Sequence, residues 1–341
     1  MKAFIYTFTL LVFSTPLVHA QGKKFSYSEM KMGSPFNIII VSADSVKANH
    51  LARKSFELVD SLSHIFSNYD SSSELSKINA AAGLLPFKMS TSMLDLVQKS
   101  QDAYIQSKGA YDISIGPLSS LWRNARKAKL FPEASTVLAT KKLVGFAQVK
   151  INKRLGTIFL PSPDMQLDFG GIAKGYIAQW VINYLKANGI QQAVADAGGD
   201  TVMSGAPLNT KGWLIGVNLP ETTDDLLNKK LQLSNCSVAT SGDVYQFIEY
   251  KGVKYSHIIN PLTGYGVTNL RNVTIIAKTG ATADWLATAC SILPIKEAKQ
   301  LAISNQAALL ITTLKNGKLV FEASPNFKNY WQNTNIIQDK K

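Results

Sequence analysis

Only two cysteines occur in the chain, Cys236 and Cys290. That is too few for a disulfide framework, and nothing in the sequence places the two together, so two free buried thiols are expected. Acidic residues are also in deficit, 23 against 36 lysines and arginines, and the formal charge is +13. Such a balance favours anionic partners. The basic residues are nevertheless scattered, as at Lys99, Lys127, Lys141, Lys142, Lys229 and Lys230, with no arginine-rich arm and no nucleic-acid motif. Nucleic acid is therefore not an expected partner. Beyond the N-terminus no segment offers a long uncharged run of the length a membrane helix needs. No fixed-period repeat and no Pro-, Gly- or Ser-rich linker divides the chain, and no Ser-His-Asp constellation supplies a nucleophile of its own.

What is present begins with Lys2 and a mostly apolar run from Ala3 to Phe13 that closes on Val18-His19-Ala20. This reads as a secretory signal over residues 1–20. No cysteine follows closely enough to take a lipid, so the expected product is an exported, periplasmic protein released from its leader.

The remainder reads as one α+β domain over residues 24–324, with a C-terminal extension over residues 325–341. Phe36 to Val41 is a β-branched apolar run, and Leu51, Leu58, Val59, Leu62, Ile65 and Phe66 then recur at helical spacing. A second helix runs through Met93, Leu94, Val97, Tyr104 and Ile105 to Gly109, and a third from Ile172 to Leu185, stopping at Gly189. Glycine there suits a left-handed cap. Further strands are expected at Ala193–Asp196, Trp213–Asn218, Val273–Ala277, Ala308–Thr313 and Lys318–Glu322. The last two flank Asn316-Gly317, a hairpin turn.

Several short blocks combine glycine with polar residues at element ends, where backbone groups are free to meet a ligand. Asp168-Phe169-Gly170-Gly171-Ile172-Ala173-Lys174-Gly175 joins an apparent strand end to a helix start and suits a phosphate or ribose. A tight connection whose glycines serve packing alone fits it equally. Asp284 and Thr288 stand four apart on a small-residue helix, so both oxygens leave one face. Mg²⁺ takes few protein ligands and leaves other positions to water and phosphate, although such a pair on its own is more often a cap or a solvated edge. His257 precedes an Asn-Pro turn and could move a proton, bond a phosphate or serve structure. His50 and His64 read as exposed.

Together with Met32-Gly33-Ser34, Ser67-Asn68-Tyr69 plus Ser73-Glu74, Gly109-Ala110-Tyr111-Asp112, Gly198-Gly199-Asp200, Thr240-Ser241-Gly242-Asp243 and His257-Ile258-Ile259-Asn260-Pro261-Leu262-Thr263-Gly264, these blocks resemble the ApbE-like FAD:protein FMN transferases in order and spacing. The resemblance runs from about residue 30 to about residue 290. It implies a T-fold-related α+β domain, an antiparallel sheet packed with helices. It also implies transfer of FMN from FAD to a threonine of an acceptor protein. Met32, Tyr69, the Ala110-Tyr111-Asp112 backbone, Asp168, Lys174 and Ile258-Ile259 would line the FAD site, with His257 near the pyrophosphate. The Gly171 carbonyl, Asp284 and Thr288 would hold Mg²⁺. Ser34 stands where the family has threonine and Asn260 where it has aspartate; serine keeps the hydroxyl and asparagine the turn-forming carbonyl. His257 is the first candidate base and Asp243 the second. The acceptors so implied are subunits of membrane respiratory complexes, Na⁺-translocating NADH:quinone reductase or Rnf-type, which would bring the protein to the outer face of the inner membrane. The rival readings are a Mg²⁺-dependent FAD pyrophosphatase, a non-catalytic FAD carrier and a basic protein that binds anions without chemistry.

Overall fold

The computed structural model describes residues 22–219, 227–242, 246–315 and 318–332. The leader (residues 1–20), Asp243, the Asn316-Gly317 turn and the end of the C-terminal extension lie outside the described residues.

The chain opens with a hairpin of β1 (Lys23–Lys31) and β2 (Ser34–Ser42), which turns at Met32-Gly33 with φ of 51° and 77°. Helix α1 (Ser45–Phe66) follows, started by the Asp44 carboxylate accepting from the Lys47 amide at 3.0 Å. An insertion then runs through α2 (Glu74–Ala80), β3 (Phe87–Lys88), α3 (Thr91–Gln106), α4 (Gly116–Ala128), α5 (Ala134–Lys141), β4 (Lys150–Asn152) and β5 (Thr157–Phe159) before α6 (Ala173–Ala187). The second half comprises β6 (Ala193–Ala197), β7 (Thr201–Ser204), β8 (Trp213–Ile215), β9 (Leu231–Leu233), β10 (Cys236–Ser241), β11 (Phe247–Tyr250), β12 (Val253–Ser256), β13 (Arg271–Ala277), α7 (Gly280–Ile292), α8 (Ile295–Ser304), β14 (Ala308–Lys315) and β15 (Lys318–Ala323).

Eight strands form one antiparallel sheet in the order β1-β2-β6-β7-β10-β13-β14-β15. Phe36, Ile38 and Ile40 alternate along β2 toward a core they share with Leu51, Val59 and Leu62 of α1 and Ile177, Val181 and Leu185 of α6. Each such side chain contributes about 1.5–3 kcal/mol when fully buried. The opposite face carries Val41, Val194, Met203 and Leu310, covered by Trp213, Leu231, Leu233 and Phe327. With both faces covered, β13 is buried at all seven residues.

The expected helices and sheet strands stand where the periodicity placed them. Gly109 and Gly189, both at φ +84°, close α3 and α6 by donating to the Tyr104 and Lys186 carbonyls. Some readings change. The expected strand at Trp213–Asn218 is three residues long and pairs with β9 outside the main sheet. Met165–Asp168 forms no strand: it meets the neighbouring segment through a parallel bridge between Ile115 and Gln166 and a bond from the Asp168 amide to the Ile113 carbonyl at 2.7 Å, and Gly116 leaves into α4 directly afterwards. The segment after Ser324 puts Phe327 into the second core cluster rather than trailing along the surface. Both cysteines are free, Cys290 buried and Cys236 partly so. No helix among the described residues is long and apolar enough to cross a membrane.

Candidate active site

Helices α6 and α7 cross where each has a glycine, Gly175 and Gly280, so their backbones touch. A Cβ on Gly175 would lie 2.2 Å from the Gly280 carbonyl oxygen and 2.9 Å from Asp284 Cβ. Because the helices approach so closely, Asp284 of α7 reaches the start of α6, and its Oδ2 accepts from the Gly175 amide at 3.0 Å. That amide belongs to the first turn of α6 and has no intrahelical acceptor, so the carboxylate caps the positive helix end. Oδ1 of Asp284 has no protein donor among the described residues. One turn along α7, Thr288 meets the chain leading into α6: a Cβ on Gly171 would lie 2.7 Å from Thr288 Oγ1. The structure thereby joins Gly171 to Asp284 and Thr288, which lie more than a hundred residues further along the chain.

Asp284 is buried, and burial pushes its carboxyl up to about 7, offset in part by the Gly175 amide and the Lys174 ammonium. Burial, then Asp284, pushes the neighbouring Asp200 up as well. Two carboxylates that disfavour each other's charge leave the spot short of positive charge. No group of three or more His, Cys, Asp or Glu suited to a metal occurs among the described residues. The available donors are hard oxygens in small number, one carboxylate oxygen without a protein donor and a hydroxyl. Such a set fits Mg²⁺ that takes its remaining ligands from phosphate and water.

Beside this corner the turns of two hairpins converge on the start of α6. A Cβ on Gly198 would lie 2.4 Å from Ser34 Oγ and 3.8 Å from Lys174 Nζ. Ser34 follows directly on Met32-Gly33, so the first and fifth motif blocks are neighbours in space. Asp196 holds the Gly198-Gly199 turn by accepting from the Gly199 amide at 2.9 Å and from Thr201 Oγ1 at 3.1 Å. Lys174 makes no hydrogen bond or ion pair among the described residues, and its charge acts on the buried Asp284 and Asp200.

The insertion supplies the other wall. Asp168 accepts from the Gly170 amide at 2.7 Å and from Asn68 Nδ2 at 2.9 Å, and Arg123 of α4 approaches it at 3.6 Å. The same guanidinium lies 4.4 Å over the ring of Tyr69, which is itself 78% exposed and free to offer its other face. Ala110, Tyr111 and Asp112 are buried, and the Tyr111 ring sits 6.2 Å from Trp285 of α7. The Asp112 carboxylate accepts from Ser114 and from the Phe146 amide, so its side chain ties the turn together and only its backbone remains for a ligand. Ile258 and Ile259 are likewise buried, Ile259 in the cluster around Trp122. Asn260 accepts from the Leu262 amide at 2.9 Å, the turn-forming task expected of it.

His257 emerges from β12 with its amide bonded to the Gln246 carbonyl at 2.8 Å, while its ring Nδ1 is buried and without a partner. An orphaned polar atom of this kind at a cleft calls for a ligand. Burial, followed by the Arg126 charge, lowers the imidazole from its ordinary 6.5 to about 4, so the ring is neutral at pH 7. His50 and His64 are exposed, the latter paired with Asp70 at 2.8 Å. The structure thus distinguishes the three described histidines by environment.

The His257 shift has a consequence for stability. Between pH 6.5 and 4 the unfolded chain protonates this histidine and the folded chain does not, so stability falls as pH falls through that window and levels off below it. His257→Asn should remove this contribution. Urea unfolding at pH 7 and pH 4.5 should then show a smaller acid loss for the variant than for the wild type, and equal losses would mean that the ring is not held neutral.

Asp200, Asn68, Arg123 and Arg126 take part in the cleft without having been assigned roles from sequence. Asp200 and Asn68 lie inside recognised blocks. The two arginines lie outside every motif block, on a helix that the periodicity reading did not place.

Against known proteins, the chain is 31% identical over 259 residues to an FAD:protein FMN transferase of Klebsiella pneumoniae, covering 76% of this chain and 79% of that protein. It is 27% identical over 303 residues to an FAD:protein FMN transferase of Vibrio cholerae, covering 88% and 90%. Among solved structures, the flavin transferase ApbE from Vibrio cholerae superposes with a TM-score of 0.81 at 27% identity, over 91% of this chain and 99% of that one. The apo form of the Pseudomonas stutzeri flavinyl transferase ApbE gives 0.81 at 26% identity, over 91% and 97%. Together with a match to the ApbE family model over residues 32–311, which spans the whole cleft just described, these relatives establish that the chain belongs to the ApbE family.

Proposed function

We propose that this chain is an FAD:protein FMN transferase that moves FMN from FAD to a threonine hydroxyl of an acceptor protein, with AMP as the leaving group and Mg²⁺ as cofactor. The observation that carries the reading is the orphaned, neutral His257 in a cleft that also holds Lys174, Arg126 and the oxygen corner at Asp284 and Thr288.

In the reaction a new bond forms between the acceptor Oγ and the phosphorus of the FMN half. The bond from that phosphorus to the AMP oxygen breaks. His257 has an unoccupied imidazole nitrogen and is not protonated at neutral pH, so it is suited to accept the proton of the hydroxyl as the new bond forms. Asp243, the other candidate base, lies outside the described residues. Lys174 and Arg126 set positive charge beside the diphosphate, where negative charge moves toward the leaving oxygen. Asp284, Thr288 and the Gly171 carbonyl are the residues that would hold Mg²⁺. When bound there, the ion neutralises the diphosphate and orients the leaving phosphate. The exposed face of Tyr69 and the backbone at Ala110–Asp112 would receive the flat parts of the dinucleotide.

The N-terminal leader motivates an exported, periplasmic setting, and acceptors among the subunits of membrane respiratory complexes suit that location. The reading is tested by incubating the protein with FAD, Mg²⁺ and a threonine-containing acceptor domain. The acceptor should gain the mass of FMN less one water, with AMP in equal amount. Free FMN at the same rate with and without acceptor, on an acceptor of unchanged mass, would replace the transferase by a pyrophosphatase.

A further inference from the structure

Helix α4 carries Arg123 and Arg126 three residues apart, so both guanidinium groups leave the same side of the helix. The two are not equivalent. Arg123 is committed: it stacks over Tyr69 and faces Asp168. Arg126 has no carboxylate partner and no hydrogen bond among the described residues, although it is partly buried and Arg123 repels it. His257 feels the charges of both Arg126 and Lys174. Lys174, unlike Arg126, has the carboxylates of Asp284 and Asp200 within its field.

A partly buried arginine without a carboxylate partner among the described residues and an orphaned imidazole thus belong to one site. Partly burying an arginine beside another cation is unfavourable unless an anion occupies the space between them, and the described residues offer Arg126 no carboxylate for that purpose. The acidic residues nearby are already engaged, Asp168 with Asn68 and the Gly170 amide, Asp196 with the Gly198-Gly199 turn, and Asp284 and Asp200 with Lys174. An anionic ligand would supply the missing charge. A guanidinium presents its donors as a planar fork that matches two phosphate oxygens at once, which an ammonium cannot do.

We propose that Arg126 binds the diphosphate of the flavin dinucleotide, donating to its non-bridging oxygens next to His257, with Lys174 as the second cation. This rests on the transferase reading and assigns the discrimination between FAD and unphosphorylated flavin to a residue outside every motif block. Arg123, by contrast, positions Tyr69 and Asp168. In the reaction the Arg126 guanidinium stays protonated and shares in the charge that moves to the leaving phosphate.

The test is flavin binding, followed by fluorescence in Mg²⁺ without acceptor, so that a failure of group transfer leaves the comparison readable. Arg126→Ala should weaken FAD binding by about 10- to 100-fold, the range for loss of a charge-assisted hydrogen bond, while riboflavin affinity stays within about twofold of wild type. Arg154, exposed on the turn between β4 and β5, provides a control for net charge, and Arg154→Ala should change neither affinity beyond about twofold. Arg126→Lys should recover part of the loss, and it carries the test if the alanine variant fails to fold. The proposal is overturned if Arg126→Ala behaves like Arg154→Ala, if FAD and riboflavin weaken together, or if lysine restores nothing.

Discussion

Replacing Asp284 with alanine should lower FMN transfer by about 10³-fold, close to 4 kcal/mol of lost transition-state stabilisation. The carboxylate has two tasks, which a pair of substitutions separates. Oδ2 caps α6 through the Gly175 amide, and Oδ1 is left for a cation beside Thr288. Alanine removes both. Asparagine keeps an acceptor for the amide but removes the charge, so Asp284→Asn should melt near the wild-type temperature and still transfer poorly. Alanine should lose some stability as well, about 1–3 kcal/mol for an amide left unsatisfied, lessened because a buried carboxylate that disfavours its own charge is removed with it. Transfer rates at several Mg²⁺ concentrations, measured beside thermal melts, decide the matter. An asparagine variant with full activity at ordinary Mg²⁺ would show that the charge of Asp284 is not what the reaction uses.

The second large effect belongs to the helix crossing itself. Gly175→Ala should destabilise the protein by about 3 kcal/mol, lowering the melting temperature by about 6 °C or more. The added methyl would meet the Gly280 carbonyl oxygen at 2.2 Å and carbon at 2.6 Å, and Asp284 Cβ at 2.9 Å. The first two are backbone atoms, so no rotamer change relieves the clash and the helices must part. Parting them also lengthens the bond from the Gly175 amide to Asp284, so activity should fall beyond what the lower stability accounts for at 25 °C. Gly280→Ala presses on the Gly175 carbonyl oxygen at 2.0 Å and should behave alike. A Gly175→Ala variant that melts with the wild type would show that the crossing has slack the packing does not suggest.

Much of this site could be read along the chain because its pieces are short and local. The Asp168–Gly175 run, the Asp284–Thr288 spacing and the Asn260 turn each carry their geometry in a few adjacent residues, where backbone dihedrals and hydrogen bonds act over one or two turns. Amphipathic spacing likewise located α1, α3 and α6. The insertion was harder to read. Helix α5 has a single buried side chain, Val137, and β3, β4 and β5 are two or three residues long, too short for alternation to register.

What the sequence determined alone was therefore the long helices, several strands of the main sheet, the family and the residue types able to meet a dinucleotide and a hard cation, since local backbone preference and burial periodicity reside in neighbouring residues. Which of those residues share a charge environment was decided only by the tertiary structure. Gly175 and Asp284 are 109 positions apart, and their contact exists because two glycines let α6 and α7 touch. The depressed His257, the orphaned Nδ1 and the unmatched Arg126 follow from burial and from cations on separate elements. Desolvation and Coulomb forces depend on distance through space, which no spacing along the chain records.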